Sequence, residues 1–209
     1  MKKRHPEFFK RQDERPDKLF YKQPRRVKHI DEGASRAAEA LYDELLPAGG
    51  SVLDLMASYY SHLPEKFSNI VGLGLNHAEL EENEQINKVL IQDLNQTTEL
   101  PFDKNTFDGA VCTVSIQYLT CPDEVFAEVA RVLKPRRPFI ITFSNRMFPT
   151  KAILAWRASD DEAHIRLVKS YFEHEPKFAE VQTRHHTPKK GDPLFAVWAH
   201  KSAEGISLN

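Results

Sequence analysis

Two cysteines in 209 residues, Cys112 and Cys121, are too few for a disulfide framework. They read as small buried or half-buried side chains of a reducing compartment, so a cytoplasmic protein is expected. No apolar run approaches the roughly 18 residues that span a bilayer, so no membrane partner is expected. Residues 1–10 are charged and lack an apolar core segment, so no secretory leader is expected. Metal chemistry lacks its ligand spacings. His164, His174 and the pair His185-His186 match no zinc pattern, and there is no Cys-x-x-Cys, so the metal expectation is none. Nucleoside triphosphate chemistry lacks its Gly-x-x-x-x-Gly-Lys loop, and hydrolase chemistry its Gly-x-Ser-x-Gly elbow. The dinucleotide fingerprint Gly-x-Gly-x-x-Gly follows no strand. There is no internal repeat and no low-complexity tract.

What is present is ordinary for one globular domain: 41% hydrophobic and 28% charged residues in a chain just above common domain size. A net charge of −1 argues against wholesale nucleic-acid binding. The charge is uneven, however. Residues 1–29 carry eleven Lys and Arg against four Asp and Glu. Two readings stand: a solvated, partly disordered leader, or an arm that attracts an anionic substrate or folds over a cofactor. Residues 1–19 are taken as a basic flexible tail, 20–200 as a single domain and 201–209 as a second tail. Nothing demands an oligomer, and a monomer is the default.

Along the chain, Ala34, Ala37, Ala38, Leu41, Tyr42, Leu45 and Leu46 recur at helical spacing, with Asp31 near the start and Gly49-Gly50 after the end. Strands are expected at Ser51–Leu55, Asn69–Leu75, Lys88–Gln92, Asp108–Ser115 and Phe139–Ser144. Between them, Asn76 caps a helix with Glu79 in the capping-box position. Thr120 or Cys121 caps another, with Pro122 in its first turn and Val125, Val129, Val132 and Leu133 on its buried face. Further on, Pro149 to Ala158 reads as a short helix, and Ser159-Asp160-Asp161-Glu162 opens another. Strands at Phe178–His186 and Leu194–His200 are joined by a short turn, so they pair antiparallel. The earlier strands alternate with helices and pair in parallel.

At the junction after the first strand, Val52-Leu53-Asp54-Leu55-Met56-Ala57-Ser58 takes an apolar run to an acid and then into a small-residue turn. In open α/β sheets ligands sit at such junctions. Gln92-Asp93-Leu94, Leu100-Pro101-Phe102, Asn105-Thr106-Phe107-Asp108 and Arg131-Val132-Leu133-Lys134-Pro135 follow in order. Together these stretches, within residues 34–200, resemble class I S-adenosylmethionine (SAM) dependent methyltransferases of the type 11 group. The resemblance implies an α/β, Rossmann-like sheet, mostly parallel, with an antiparallel C-terminal hairpin, order 3-2-1-4-5-7-6 and helices on both faces.

It also implies SAM as cofactor, with S-adenosylhomocysteine (SAH) as product. Asp93 would accept the adenine amino group and the Leu94 N–H would reach the ring. Asp54 would organise the methionine amino group, and Ser115 would lie beside the methyl donor. Ala57, Ser58, Gly72, Gly74 and Asn76 complete the expected cofactor set. Two departures from the family are visible. Met56, Ser58 and Tyr60 stand where glycines are usual, and Gly74 stands where an acid grips the ribose diol. Asn76 is expected to replace part of that grip, more weakly than a charged acceptor.

Methyl transfer asks chiefly for alignment, with a base only where the acceptor is protonated. His29 and Tyr118 are the catalytic candidates, with Asp31, Tyr59 and His62 behind them. Tyr21, Tyr59, Arg146 and Trp156 are candidates for the acceptor pocket, which suits a small molecule with an anionic end. Three functions therefore compete: an active methyltransferase on a small molecule, a non-catalytic binding module on the same fold, and an RNA or protein methyltransferase using its basic arm. The missing glycines and ribose acid favour the second. The absence of an Asn-Pro-Pro-Tyr-like motif after the fourth strand lowers the third.

Overall fold

The computed structural model describes residues 4–203. Seven strands form one sheet: β1 (Ser51–Leu55), β2 (Asn69–Gly74), β3 (Lys88–Ile91), β4 (Gly109–Thr113), β5 (Pro138–Phe143), β6 (Phe178–His186) and β7 (Leu194–Lys201). Their order is β3-β2-β1-β4-β5-β7-β6, as the resemblance implied. The first five pair in parallel, and β7 runs antiparallel to both β5 and β6.

Central parallel strands are covered on both faces and so read as near-continuous apolar runs. β4 and β5 are buried along their whole length. Successive side chains point to opposite faces, and the core divides accordingly. Leu53, Val71, Ala110 and Ile141 join one cluster, whereas Val52, Ile70, Val111 and Ile140 join the other.

Helix α2 (Glu32–Leu45) covers the second cluster with Ala34, Ala38, Leu41 and Tyr42. Asp31 caps it, accepting from the Ala34 N–H at 2.9 Å. Helices α4 (Pro122–Val132) and α6 (Asp161–His174) cover the first, where Phe126, Phe139, Phe172 and Phe178 pack edge to face or tilted. The α6 cap is Asp160 rather than Ser159. The Tyr42 hydroxyl ties α2 to the sheet between Thr113 Oγ1 (2.7 Å) and Thr142 Oγ1 (2.8 Å).

The N-terminal segment differs from the loose tail expected. A 3-10 turn (Pro6–Phe9) and the short helix α1 (Asp17–Phe20) lie against the body. Arg4 reaches Asp123 at 2.9 Å and Ser170 Oγ at 2.8 Å. The Asp13 N–H donates to the Thr150 carbonyl, and the Leu154 N–H to that of Lys10. Lys151 is fully buried beneath the segment. Its ammonium donates to the Asp13 and Arg15 carbonyls and lies 3.0 Å from Asp17.

Charge is thus matched locally, which composition does not reveal. Arg11 grips both oxygens of Asp17 (2.8 and 2.7 Å), and Arg15, Arg26 and Lys28 pair with Asp13, Glu82 and Glu32. At the other end β7 runs to Lys201. Residues 1–3 and 204–209, the extremes of the two expected tails, lie outside the described residues.

Candidate active site

A cavity of about 270 Å³ opens at the carboxyl ends of β1, β2, β3 and β4. Asp54, Gly74, Asp93 and Ser115 line its floor and sides; Tyr21, Arg25 and His29 of the N-terminal segment and Phe148 after β5 close over it. This is the crevice where open α/β sheets place ligands. Among the described residues, four of the seven non-glycine residues with positive φ lie on its wall: His29, Met56, His62 and Val114. Such backbone costs about 1–3 kcal/mol per residue and concentrates at functional sites.

Asp54 on β1 is 2% exposed, and its Oδ2 has no partner. Burial pushes its carboxyl up to about 7, with the Ser61 hydroxyl acting in the opposite direction. A buried orphan acceptor on a cavity wall fits a ligand ammonium.

Beyond Asp54, Met56 takes φ +56°, the left-handed backbone that a glycine would supply more cheaply. The turn is therefore preserved without its glycine. It is then anchored by the Ala57 N–H, which donates to the Leu73 carbonyl at 2.7 Å. The Ala57 carbonyl occupies the space that a Cβ on Gly74 would need. A side chain at position 74, including the family's acid, is excluded by the path of this turn. Gly72, by contrast, makes way for Ile86 and does not line the cavity, so its expected cofactor role is corrected to packing.

Asn76 lines the cavity, but its amide is already engaged. Oδ1 caps helix α3 (His77–Glu81) by accepting from the Glu79 N–H (3.2 Å), and Nδ2 donates to the Tyr21 carbonyl (2.8 Å). The carboxylate at this edge is Glu79, buried on the cavity wall. It accepts from Ser58 Oγ at 2.7 Å and from the Arg25 N–H at 2.6 Å. Sequence patterning gave Glu79 only its capping-box place. The signal available was a second acid one turn after the missing one.

Asp93 and Leu94 both line the cavity. Asp93 accepts from the Asn95 N–H at 3.0 Å, and burial raises its carboxyl. Asn95 donates to Asp17 and to the Tyr118 carbonyl, both at 3.0 Å, which links this wall to the N-terminal segment. Burial works to raise the Asp17 carboxyl, but bonds from Arg11, Asn95 and Lys151 hold it below its usual range. Ala57, Ser58 and Ser115 also line the cavity.

His29 and Tyr118 both reach the cavity. Burial lowers the His29 imidazole, keeping it neutral at neutral pH. The Tyr118 hydroxyl accepts from the Phe148 N–H at 2.8 Å, and burial raises its pKa. His62 lines the wall but is held by Ser35 and the Lys28 carbonyl and pushed down to about 4 by burial. Asp31 is occupied as a cap.

Among the acceptor candidates, Tyr21 and Arg146 line the cavity, with Arg146 bonded to Asp192 at 2.8 Å. Two do not. Trp156 is 1% exposed and stacks on His164 at 4.0 Å within the core. Tyr59 is replaced on the wall by Tyr60, whose ring lies 4.4 Å from Lys28 Nζ. Sequence reasoning missed Arg25 and Asp17, because both reach the site from the N-terminal segment, outside the strand-end turns; Phe148 lies in the stretch 145–149 after β5, which the sequence left open between pocket and core. No cluster of metal-ligating side chains occurs among the described residues.

Comparison with known proteins agrees with this geometry. Residues 50–141 match the family model described as Methyltransferase domain. The biotin biosynthesis bifunctional protein BioHC of Teredinibacter turnerae is 32% identical over 87 residues, 42% of this chain and 15% of that protein. The 24-methylenesterol C-methyltransferase 2 of Arabidopsis thaliana is 28% identical over 132 residues, 60% of this chain and 34% of that one. The chain thus matches about a third or less of either relative's length. A SAM-dependent methyltransferase from Aquifex aeolicus superposes with a TM-score of 0.58 at 18% identity, covering 88% of this chain and 97% of that one. Residues 50–141 thus match a methyltransferase-domain model, and the sheet has the fold of class I SAM-dependent methyltransferases.

Proposed function

We propose that this protein is a SAM-dependent methyltransferase acting on a small-molecule acceptor. The observation that carries the reading is the orphaned, buried Asp54 Oδ2 in a strand-end cavity that Asp93 also lines. A cofactor with an ammonium at one end and an adenine amine at the other meets an acceptor-only group at each. Glu79, with Ser58, supplies the carboxylate nearest the ribose position, in place of the residue that Gly74 cannot carry.

SAM, when bound, supplies a sulfonium methyl that is already a reactive donor. The chain's residues then have three tasks. Asp54, Asp93 and the Leu94 backbone fix the donor's orientation. The N-terminal segment with Phe148 roofs the cavity and excludes water. His29, neutral at neutral pH, is placed to take a proton from an acceptor hydroxyl or amine, which is general-base work.

The basic arm gives little support to a polyanion acceptor, since Arg4, Arg11, Arg15, Arg26 and Lys28 already have carboxylate partners. No helix among the described residues is long and apolar enough to cross a membrane. Free Cys112 and Cys121 accord with a reducing, cytoplasmic setting, and a monomer is retained as the simplest state.

Calorimetric titration with SAM and SAH tests the reading. The expected result is saturable binding by wild type that Asp93→Ala weakens by about tenfold or more, the worth of a charge-assisted bond. No binding by wild type at millimolar ligand would favour a non-catalytic module, which the crowded Gly74 and the occupied Asn76 amide make the second reading.

A further inference from the structure

Arg25 is unlike the other arginines of the N-terminal segment, since Arg4 and Arg15 have carboxylate partners. Arg11, Arg26 and Lys28 each have a carboxylate. Arg25 has no ion pair among the described residues. Its guanidinium instead lies over three rings: its central carbon is 4.7 Å from the Phe20 centroid, 5.0 Å from Phe148 and 5.6 Å from Tyr21. One terminal nitrogen donates to the Phe20 carbonyl at 3.1 Å. The other, Nη1, is buried without a partner.

A guanidinium stays charged in any protein setting, so the orphan donor cannot be relieved by losing a proton. Cation–π contact offsets part of the cost of burial but satisfies no N–H. The group is also held in position. Its own backbone N–H is bound by Glu79 (2.6 Å), and Phe148 is bound by the Tyr118 hydroxyl (2.8 Å). The rings pack together around it: Tyr118 stacks on Phe148 at 26° and 5.9 Å, and Phe20, Tyr21 and His29 meet Phe148 edge-on. Tyr21, His29, Tyr118 and Phe148 line the cavity beside Arg25. Flat aromatic walls suit a planar group, and an unpartnered guanidinium N–H suits a carboxylate oxygen.

Resting on the methyltransferase reading, we propose that Arg25 and the slot of the cavity lined by Tyr21, Tyr118 and Phe148 are the acceptor subsite. It takes a planar, aromatic carboxylate whose anionic end pairs with the guanidinium. Arg146 at the rim, already bonded to Asp192, steers the anion rather than holding it. His29 faces the same slot, where it would meet a substituent on the ring.

The test uses the full chain saturated with SAH and titrated with benzoate, with benzamide as the neutral isostere. Wild type is expected to bind benzoate, and benzamide about tenfold more weakly or less, the worth of a hydrogen bond to a charged group. Arg25→Gln should lose benzoate to the same degree and keep its SAH affinity, which also shows that it folds. Arg25→Lys should retain part of the benzoate binding. Equal benzoate binding by wild type and Arg25→Gln would overturn the proposal, as would no benzoate binding by SAH-loaded wild type. Loss of SAH affinity in a folded Arg25→Gln would overturn it too, since the guanidinium would then serve the cofactor's own carboxylate. Failure of wild type to bind SAH would count against the methyltransferase reading. The same benzoate comparison, run on the free protein, then decides the Arg25 site separately.

Discussion

Replacing Asp54 by Asn should make the ligand-free protein more stable at pH 8 while removing its affinity for SAH. The carboxyl titrates near 7 in the folded chain, pushed there by burial, against about 3.9 in an unfolded one. Between these values the native state holds more protons than the unfolded state, so stability falls as pH rises. The stabilising neutral form is fully present below about pH 4 and lost through pH 7. About three pH units at 1.4 kcal/mol each set a ceiling of about 4 kcal/mol. For a chain of this size that is a rise in melting temperature of about 8–16 °C at most. The assay is thermal unfolding of wild type and Asp54→Asn from pH 4 to pH 8, with and without SAH. The gap should be near zero at pH 4 and widest at pH 8, where SAH should stabilise wild type and not the variant. A variant less stable than wild type at pH 8 would refute the reasoning, because Asp54 would then make stabilising bonds in the free protein.

Other perturbations test the framework around the site. Gly74→Asp restores the acid usual in the family, yet should weaken SAH binding and lower the melting temperature, because its Cβ meets the Ala57 carbonyl; tighter binding would contradict this path of the turn. Lys151→Met leaves Asp17 buried without its ammonium and should cost about 3–5 kcal/mol in urea unfolding, with faster proteolysis before residue 20. Tyr42→Phe removes the hydroxyl shared by Thr113 and Thr142 and should cost about 1–3 kcal/mol by the same method, leaving SAH affinity unchanged.

Periodicity made the helices legible. The faces of α2 and α4 follow from residues three and four apart, and both bury as expected. Strand direction followed from the lengths of the connections, but the order of the sheet came from family resemblance, since parallel strands carry no local mark of their neighbours. Asp54 was legible because it ends an apolar run, whereas Asp93 was singled out by the family resemblance alone.

Met56 was not, because a glycine pattern records the cheapest way to reach φ > 0 and this chain reaches it at a cost. Gly74 departs from the pattern where the Ala57 carbonyl passes, and that close approach is invisible along the chain. Glu79 and Arg25 were missed for a related reason: one hides in a capping box, the other in a segment that reads as a tail. Trp156 was open between a pocket wall and the core, since its apolar neighbourhood after β5 suits both equally, and it lies in the core.

The most direct test is a crystal structure of the protein with SAH. The proposed site places the ligand ammonium within hydrogen-bond distance of Asp54 Oδ2, the adenine amine on Asp93 and the ribose facing Glu79. SAH bound elsewhere, or in this cavity with Asp54 still unpartnered, would contradict it.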